Sequence, residues 1–317
     1  MSTLTDAVAS TTPVVSFSPV TLDVPGRPVT LQLRVTVPAV GTELPVVLLS
    51  HGHGPSHHLS SLNGYAPLAH AWAARGFVVL QPTHLSSRSL AHLVADAPGA
   101  PFFWRSRAED MSHVIDRLGE VEAAVPGLAG RVDRTRIGLA GHSLGGFTAS
   151  QLLGAGITDP ESGGVVRLAE PRIGAGVLLA SPGRGGDALN GPMGREYPII
   201  GALDFSTMTT PALVVAGDRD DSRHFTDLGP EWHADPYRLS PGPKTLLTLF
   251  GAEHGLGGIA GYDAAETTDE SPSRVTALAD LTAAYLRDRL YGDSSAWDAA
   301  CAALLSGPDA VGRAESK

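Results

Sequence analysis

A chain of 317 residues with 43% hydrophobic content is long enough to bury a large core. Its formal net charge of -10, with no Lys/Arg run, excludes nucleic acid or an anionic membrane as the main partner. No stretch reaches roughly eighteen uninterrupted apolar residues, and the start, Met1-Ser2-Thr3-Leu4-Thr5-Asp6, lacks the basic and apolar segments of a signal peptide, so a soluble cytoplasmic protein without a membrane partner is expected.

Residues 1–13 are Ser/Thr/Ala-rich and are expected to be mobile, with a catalytic domain over 14–292 and a C-terminal helix and tail over 293–317. Residues 14–24 and 28–37 alternate around Pro25-Gly26-Arg27-Pro28 and predict an antiparallel pair at a sheet edge, with Leu31, Leu33, Val35 and Val37 on one face. Leu44 to Ser50 is a continuous apolar run, as a strand buried on both faces requires, and it ends in His51-Gly52-His53-Gly54. A helix over 63–75 closed by Gly76 and a strand from Gly76 to Gln81 complete a βαβ unit.

The loop 82–104 is long for a compact domain and carries His84, His92, Phe102, Phe103 and Trp104. One helix is predicted over 106–123, then strands at Ile137–Ala140, Ile173–Ser181, Pro211–Gly217 and, last, Lys244–Phe250. The Gly/Pro-rich segment 182–210 is too short for a large helical lid. An amphipathic helix over 274–290 and a short one over 295–305 precede a polar tail; the only cysteine, Cys301, falls in the second, where packing is its expected role. Strands alternating with helices after an antiparallel start give an α/β fold with a mostly parallel sheet covered on both faces and its site at the carboxyl ends of the strands.

At one of those ends stands Gly141-His142-Ser143-Leu144-Gly145. The pattern G-x-S-x-G gains meaning from its context, a strand before it and a helix-compatible run from Phe147 to Leu153 after it. Small flanking residues permit a sharp turn that holds Ser143 outward as a nucleophile, and the N–H of Leu144 at the helix start is placed to meet an oxyanion. A serine hydroxyl needs a base, and the base an acid. Of twelve histidines, His254 follows the last predicted strand on a glycine-loosened loop and is the expected base, ahead of His84, His224 and His233.

The acid belongs after the strand that ends at Ala216, in Gly217-Asp218-Arg219-Asp220-Asp221. Asp220, further out on the loop where it can reach His254, is preferred as the acid over Asp218, which is close enough to the strand end to brace the turn; Asp221 is expected to be a solvated charge, and geometry must separate the three. The N–H of His53, ahead of that of Gly52, is the expected second oxyanion donor, with the His51 ring bonded internally. His51, His53, His57 and His58 also suggest a metal, but no Asp, Glu or Cys accompanies them and their spacing fits no metal motif, so neither metal nor cofactor is expected.

These residues resemble the α/β-hydrolase superfamily over roughly 44–290, and within it the chlorophyllase-like, platelet-activating-factor-acetylhydrolase-like and cutinase-like esterases. The resemblance rests on His51-Gly52-His53-Gly54, Gly141-His142-Ser143-Leu144-Gly145-Gly146, Gly217-Asp218-Arg219-Asp220 and Ala252-Glu253-His254-Gly255. It implies Asp220, the last residue of a G-x-x-D turn, as the acid, and metal-independent ester hydrolysis through an acyl-enzyme. A serine at the elbow is unlike the dehalogenase and epoxide-hydrolase branches. The chain shows neither the secretion signal nor the paired cysteines of secreted polymer-degrading members. The expected substrate is a small to medium acyl or aryl ester, with Trp104, Phe103, Trp232, His233 and Tyr262 as candidate lining. An amidase, thioesterase or lactonase would use the same groups, and a non-catalytic ligand-binding scaffold is the reading of a different class.

Overall fold

The computed structural model describes residues 12–159 and 162–317. Of the segment expected to be mobile, residues 1–11 lie outside the described residues, while Thr12 N–H donates to Ala74 O and Pro13 O accepts from Ala39 N–H. In chain order the elements begin with β1 (Val14–Leu22), β2 (Leu31–Pro38), β3 (Leu44–Ser50), α1 (Ala66–Ala74), β4 (Val78–Pro82), α2 (Ala91–Val94), α3 (Trp104–Asp116), α4 (Leu118–Ala124) and β5 (Val132–His142). Then come α5 (Leu144–Leu152), β6 (Gly156–Thr158), β7 (Val165–Val166), β8 (Ile173–Leu179), α6 (Pro192–Glu196), β9 (Leu203–Asp204) and β10 (Ala212–Gly217). The chain finishes with α7 (Asp235–Leu239), β11 (Lys244–Leu249), α8 (Pro272–Tyr291), α9 (Ser295–Leu304) and β12 (Gly312–Ser316).

Nine strands form one sheet in the order β1-β2-β4-β3-β5-β8-β10-β11-β12. From β4 to β11 every neighbouring pair is parallel, whereas β1, β2 and β12 add antiparallel edges. The two-residue period of an extended chain sends successive side chains to opposite faces, and β3 shows the result. Val46 and Leu48 join a core with Met111, Val114 and Phe147 of α3 and α5, while Val47 and Leu49 join a core with Leu68, Trp72 and Leu278 of α1 and α8. The second layer is also tied by a hydrogen bond, from Trp72 Nε1–H to Thr282 Oγ1 at 2.9 Å. The chain is therefore an α/β protein whose mostly parallel sheet carries helices on both faces.

Three expectations are corrected. The single helix over 106–123 is two, broken at Arg117, whose N–H reaches both His113 O and Val114 O, with Gly119 weakening the run just beyond. The polar tail is not all loop, and Lys244–Leu249 is not the last strand. Gly312–Ser316 pairs antiparallel with β11 through its backbone while exposing most of its side chains, which is why no apolar pattern announces it. In 182–210 the longest helix, α6, has five residues, and β9 from that segment pairs with β6 in a small antiparallel sheet with β7.

Candidate active site

At the carboxyl end of β5 the chain reverses sharply into α5. Ser143 occupies the turn at φ 54°, ψ -119°, a conformation that costs a non-glycine residue about 1–3 kcal/mol and that surrounding structure must impose. Its N–H is held by Leu179 O on β8 at 2.9 Å. The flanking glycines are required by close approach: a Cβ on Gly141 would lie 2.0 Å from Gly145 O, and one on Gly145 would lie 2.0 Å from Ser50 O.

His254 arrives on the loop after β11 and Asp220 on the loop after β10. Ser143 Oγ lies 2.9 Å from His254 Nε2, and His254 Nδ1 lies 2.8 Å from Asp220 Oδ2. Because a carboxylate only accepts, Nδ1 carries the proton and Nε2 is left to accept from the serine hydroxyl. Asp220 is 1% exposed; burial pushes its carboxyl up, but the facing His254 and His233 rings outweigh burial and hold it well below the usual carboxylate range. His254 keeps 39% of its side chain exposed. Burial lowers its proton affinity, yet the Asp220 carboxylate wins and the net shift is upward.

The neighbouring acids have other work. Asp218 is exposed and accepts from Gly251 N–H at 2.7 Å, bracing the two strand ends against each other, and Asp221 pairs with Arg223 at the surface. Geometry thus separates the aspartates that spacing alone left open.

The loop after β3 is fixed by a chain of bonds with only one consistent proton arrangement. Gly52 N–H donates to Tyr65 Oη at 2.9 Å, Tyr65 O–H donates to His142 Nδ1 at 2.8 Å, and His142 Nε2–H donates to His254 O at 2.8 Å. Burial, with His254 next to it, lowers His142 to about 3, so its ring stays neutral. Gly52 is thereby spent, whereas the N–H groups of His53 and of Leu144 have no hydrogen-bond partner among the described residues. The His51 ring bonds internally, with Nδ1–H to Gly52 O at 2.7 Å and Nε2 accepting from His84 N–H at 3.1 Å.

Beneath this loop lies a fully buried guanidinium. Arg107 of α3 donates to Thr148 Oγ1 on α5, to Ser86 Oγ, to Ser50 Oγ and to His51 O. Burial lowers its proton affinity to about 9, still a cation at neutral pH. Ser50 also belongs to a second Ser–His–Asp series: Ser50 Oγ to His84 Nε2 at 3.0 Å, and His84 Nδ1 to Asp110 Oδ2 at 2.9 Å. These three are 0%, 0% and 2% exposed, Arg107 occupies Ser50 Oγ, and Arg27 takes the other oxygen of Asp110. The right residue types at the right distances are here a buried brace, because nothing can reach the serine.

Of the suggested aromatic lining, Phe103 is buried with Leu85 and Val94, and Trp232 is buried with Nε1–H bonded to Arg184 O and its ring against Phe225 and His233. Both are corrections, since neither offers a face to a substrate. Trp104 is half-buried under the Arg105 guanidinium, and Tyr262 is exposed. The aromatic beside the β3 loop is Phe102, edge-on to His53 at 5.4 Å with Tyr197 at 5.0 Å behind it. Of the four histidines whose clustering suggests a metal, His51, His53 and His58 turn a ring nitrogen to the carbonyls of Gly52, Ser86 and Ala260. The tightest group of potential metal ligands among the described residues is Asp220, His233 and His254, with ligand atoms within 4.8 Å of one another but already bonded among themselves.

Spacing missed Tyr65, His142 and Arg107 as site residues. Arg107 left a signal: with Asp110, Met111 and Val114 it follows the 3-4-7 helical spacing, so two charges sit on an otherwise apolar face. No protein-family model matches the chain, and no curated protein matches it as a relative.

Proposed function

We propose that this protein is a serine carboxylester hydrolase of the α/β-hydrolase fold. The observation that carries the reading is the unbroken series from Ser143 Oγ to His254 Nε2, at 2.9 Å, and from His254 Nδ1 to Asp220 Oδ2, at 2.8 Å, built on a strained serine at a helix start. The Oγ attacks the ester carbonyl carbon while its proton passes to His254 Nε2, and the resulting imidazolium is stabilised by the Asp220 charge. The carbonyl oxygen takes up negative charge against the N–H groups of Leu144 and His53. Collapse expels the alcohol, which takes the proton from His254. A water deprotonated by the same ring then cleaves the acyl-enzyme and releases the acid.

Small to medium acyl or aryl esters suit a site whose 182–210 segment, where a lid would lie, holds no helix longer than the five residues of α6. The Ser143→Ala variant tests the reading: hydrolysis of p-nitrophenyl acetate and butyrate falls about 10⁶-fold in kcat, and labelling by a fluorophosphonate disappears. Full activity in that variant overturns the nucleophile assignment. A wild-type protein that binds esters without turning them over or reacting with the probe supports the scaffold reading instead.

A further inference from the structure

His53 and His254 both sit on glycine-rich loops, over 51–54 and 251–261. Such a loop keeps a catalytic group in line only if contacts from outside take up its free N–H groups. Residues 262–271, the stretch ahead of α8, supply those contacts to both loops.

On the base loop the contact is Asp269, whose side chain is 5% exposed. Its Oδ2 accepts from Glu253 N–H and from Gly257 N–H, each at 2.9 Å, so one oxygen closes the turn on both sides of His254. Arg274 in the first turn of α8 pairs with the same oxygen at 3.0 Å and donates to Asp269 O at 3.1 Å, which fixes the acid in its turn. With His254 O taken by His142 Nε2–H, the turn is held at 253, 254 and 257.

On the β3 loop the contact is Glu266. Oε1 accepts from Ser56 N–H at 2.8 Å and Oε2 from Ser56 O–H at 2.7 Å. The carboxylate lies so close over Gly54, the residue after His53, that a Cβ there would stand 2.6 Å from Oε1. Arg107 holds this loop before His53, at Ser50 and His51, and Glu266 holds it after. Between the two acids the stretch is stiff, with Thr267 N–H donating to Ala264 O at 2.9 Å and its hydroxyl to Gly261 O at 2.7 Å. It also rests on the base loop directly, since a Cβ on Gly255 would meet Asp269 Oδ1 at 3.2 Å and Glu266 O at 3.4 Å.

We propose that residues 262–271 are a positioning strap, in which Asp269 fixes the place of His254 and Glu266 that of His53, so that base and oxyanion donor are held in register by one piece of chain. The inference rests on the esterase reading. Neither acid is placed to touch the reacting atoms; each acts through the loop it holds, by hydrogen bonds to a carboxylate, which are about twice as strong as neutral ones.

The test is steady-state hydrolysis of p-nitrophenyl butyrate across pH. A misplacement of about 1 Å costs about 10²-fold in rate, so Asp269→Ala and Glu266→Ala are expected to lose about 10- to 100-fold in kcat with KM within about threefold of wild type. Asp269→Asn and Glu266→Gln keep an amide oxygen for the same N–H groups and recover most of that loss. The pH profile tells positioning from support of the fold. The Asp269 carboxylate contributes to the raised proton affinity of His254. The other titratable groups facing that ring, Asp220 and His224 on the acid loop, His233 before α7 and His142 at the elbow, stay in place, and Arg274 without its partner acts in the same direction as the lost charge. In Asp269→Asn the acid limb of kcat/KM therefore moves to lower pH by about half a unit, less than a carboxylate in direct contact gives, while in Glu266→Gln it stays.

Alanine variants with wild-type kcat, amide variants no better than the alanine ones, or an unmoved limb in Asp269→Asn overturns the inference and leaves the two acids as supports of the fold. If an alanine variant does not fold, the limb of Asp269→Asn decides. Amide exchange in the wild type reads the clamp without turnover: protection of Glu253 and Gly257 N–H is expected, and exchange at the unprotected rate overturns the strap. A protein with both amides protected and no ester turnover refutes the esterase reading, whereas an active enzyme with wild-type kcat in both alanine variants refutes the strap alone.

Discussion

Substitution of the two neighbouring aspartates separates a charge proposed to act on His254 as the base from one that shapes a turn. Asp220→Asn keeps the size and lets the amide oxygen accept from His254 Nδ1–H while the amide NH2 faces Ser222 Oγ, but it removes the charge that stabilises the imidazolium. The corresponding loss in serine hydrolases is about 10⁴ in kcat, or about 5.5 kcal/mol of transition-state stabilisation at 1.36 kcal/mol per decade. Because the carboxylate is what raises His254, the residual activity also extends to lower pH. Asp218→Asn, by contrast, alters an exposed group whose single role, accepting from Gly251 N–H, an asparagine oxygen can also fill. It is expected within about twofold of wild type. The assay is steady-state hydrolysis of p-nitrophenyl butyrate, with a thermal melt of each variant to confirm folding. Equal damage from both substitutions, or an Asp220→Asn enzyme within tenfold of wild type, refutes the assignment of Asp220.

The pH dependence of the proposed reaction follows from its base. His254 must be neutral to accept the serine proton and its pKa is raised above 6.5, so log kcat/KM is flat at higher pH and falls with unit slope below a midpoint above 6.5, as a pH–rate profile measures. Gly145→Ala forces a Cβ to 2.0 Å from the backbone oxygen of Ser50, which cannot swing aside, and is expected to destabilise the fold by more than about 3 kcal/mol in urea denaturation. Tyr65→Phe strips the acceptor from Gly52 N–H and the donor from His142 Nδ1. Stability drops by about 1–3 kcal/mol and kcat falls more than KM rises, and an unchanged kcat would detach this chain of bonds from the site.

What the residue pattern conveyed and what it concealed divide along physical lines. Parallel strands buried on both faces must be apolar throughout, so Leu44–Ser50 and Ala212–Gly217 were legible as runs, and the glycines at 141 and 145 marked a turn that only close backbone approach explains. Strand β12 carries no such mark, because an edge strand can be held by its ladder alone while its side chains face water. The choice between Asp218 and Asp220 turned on burial, a property that three adjacent acids do not display in order. His233 stood among the rejected candidates for the base, and its contact with Asp220 comes from a fold-back of the chain between β10 and β11 that no local spacing encodes.

The buried guanidinium of Arg107 joins pieces of chain that lie far apart in sequence: the end of β3, the loop after β4 and the first turns of α5. Of the two amides proposed to meet the oxyanion, that of His53 lies in the loop just past the end of β3 and that of Leu144 opens α5. They are therefore registered against each other by one rigid, planar group and not by two independently wandering loops. The orientation of those dipoles is settled once, when the chain folds, and in the proposed reaction does not have to be found again at each turnover.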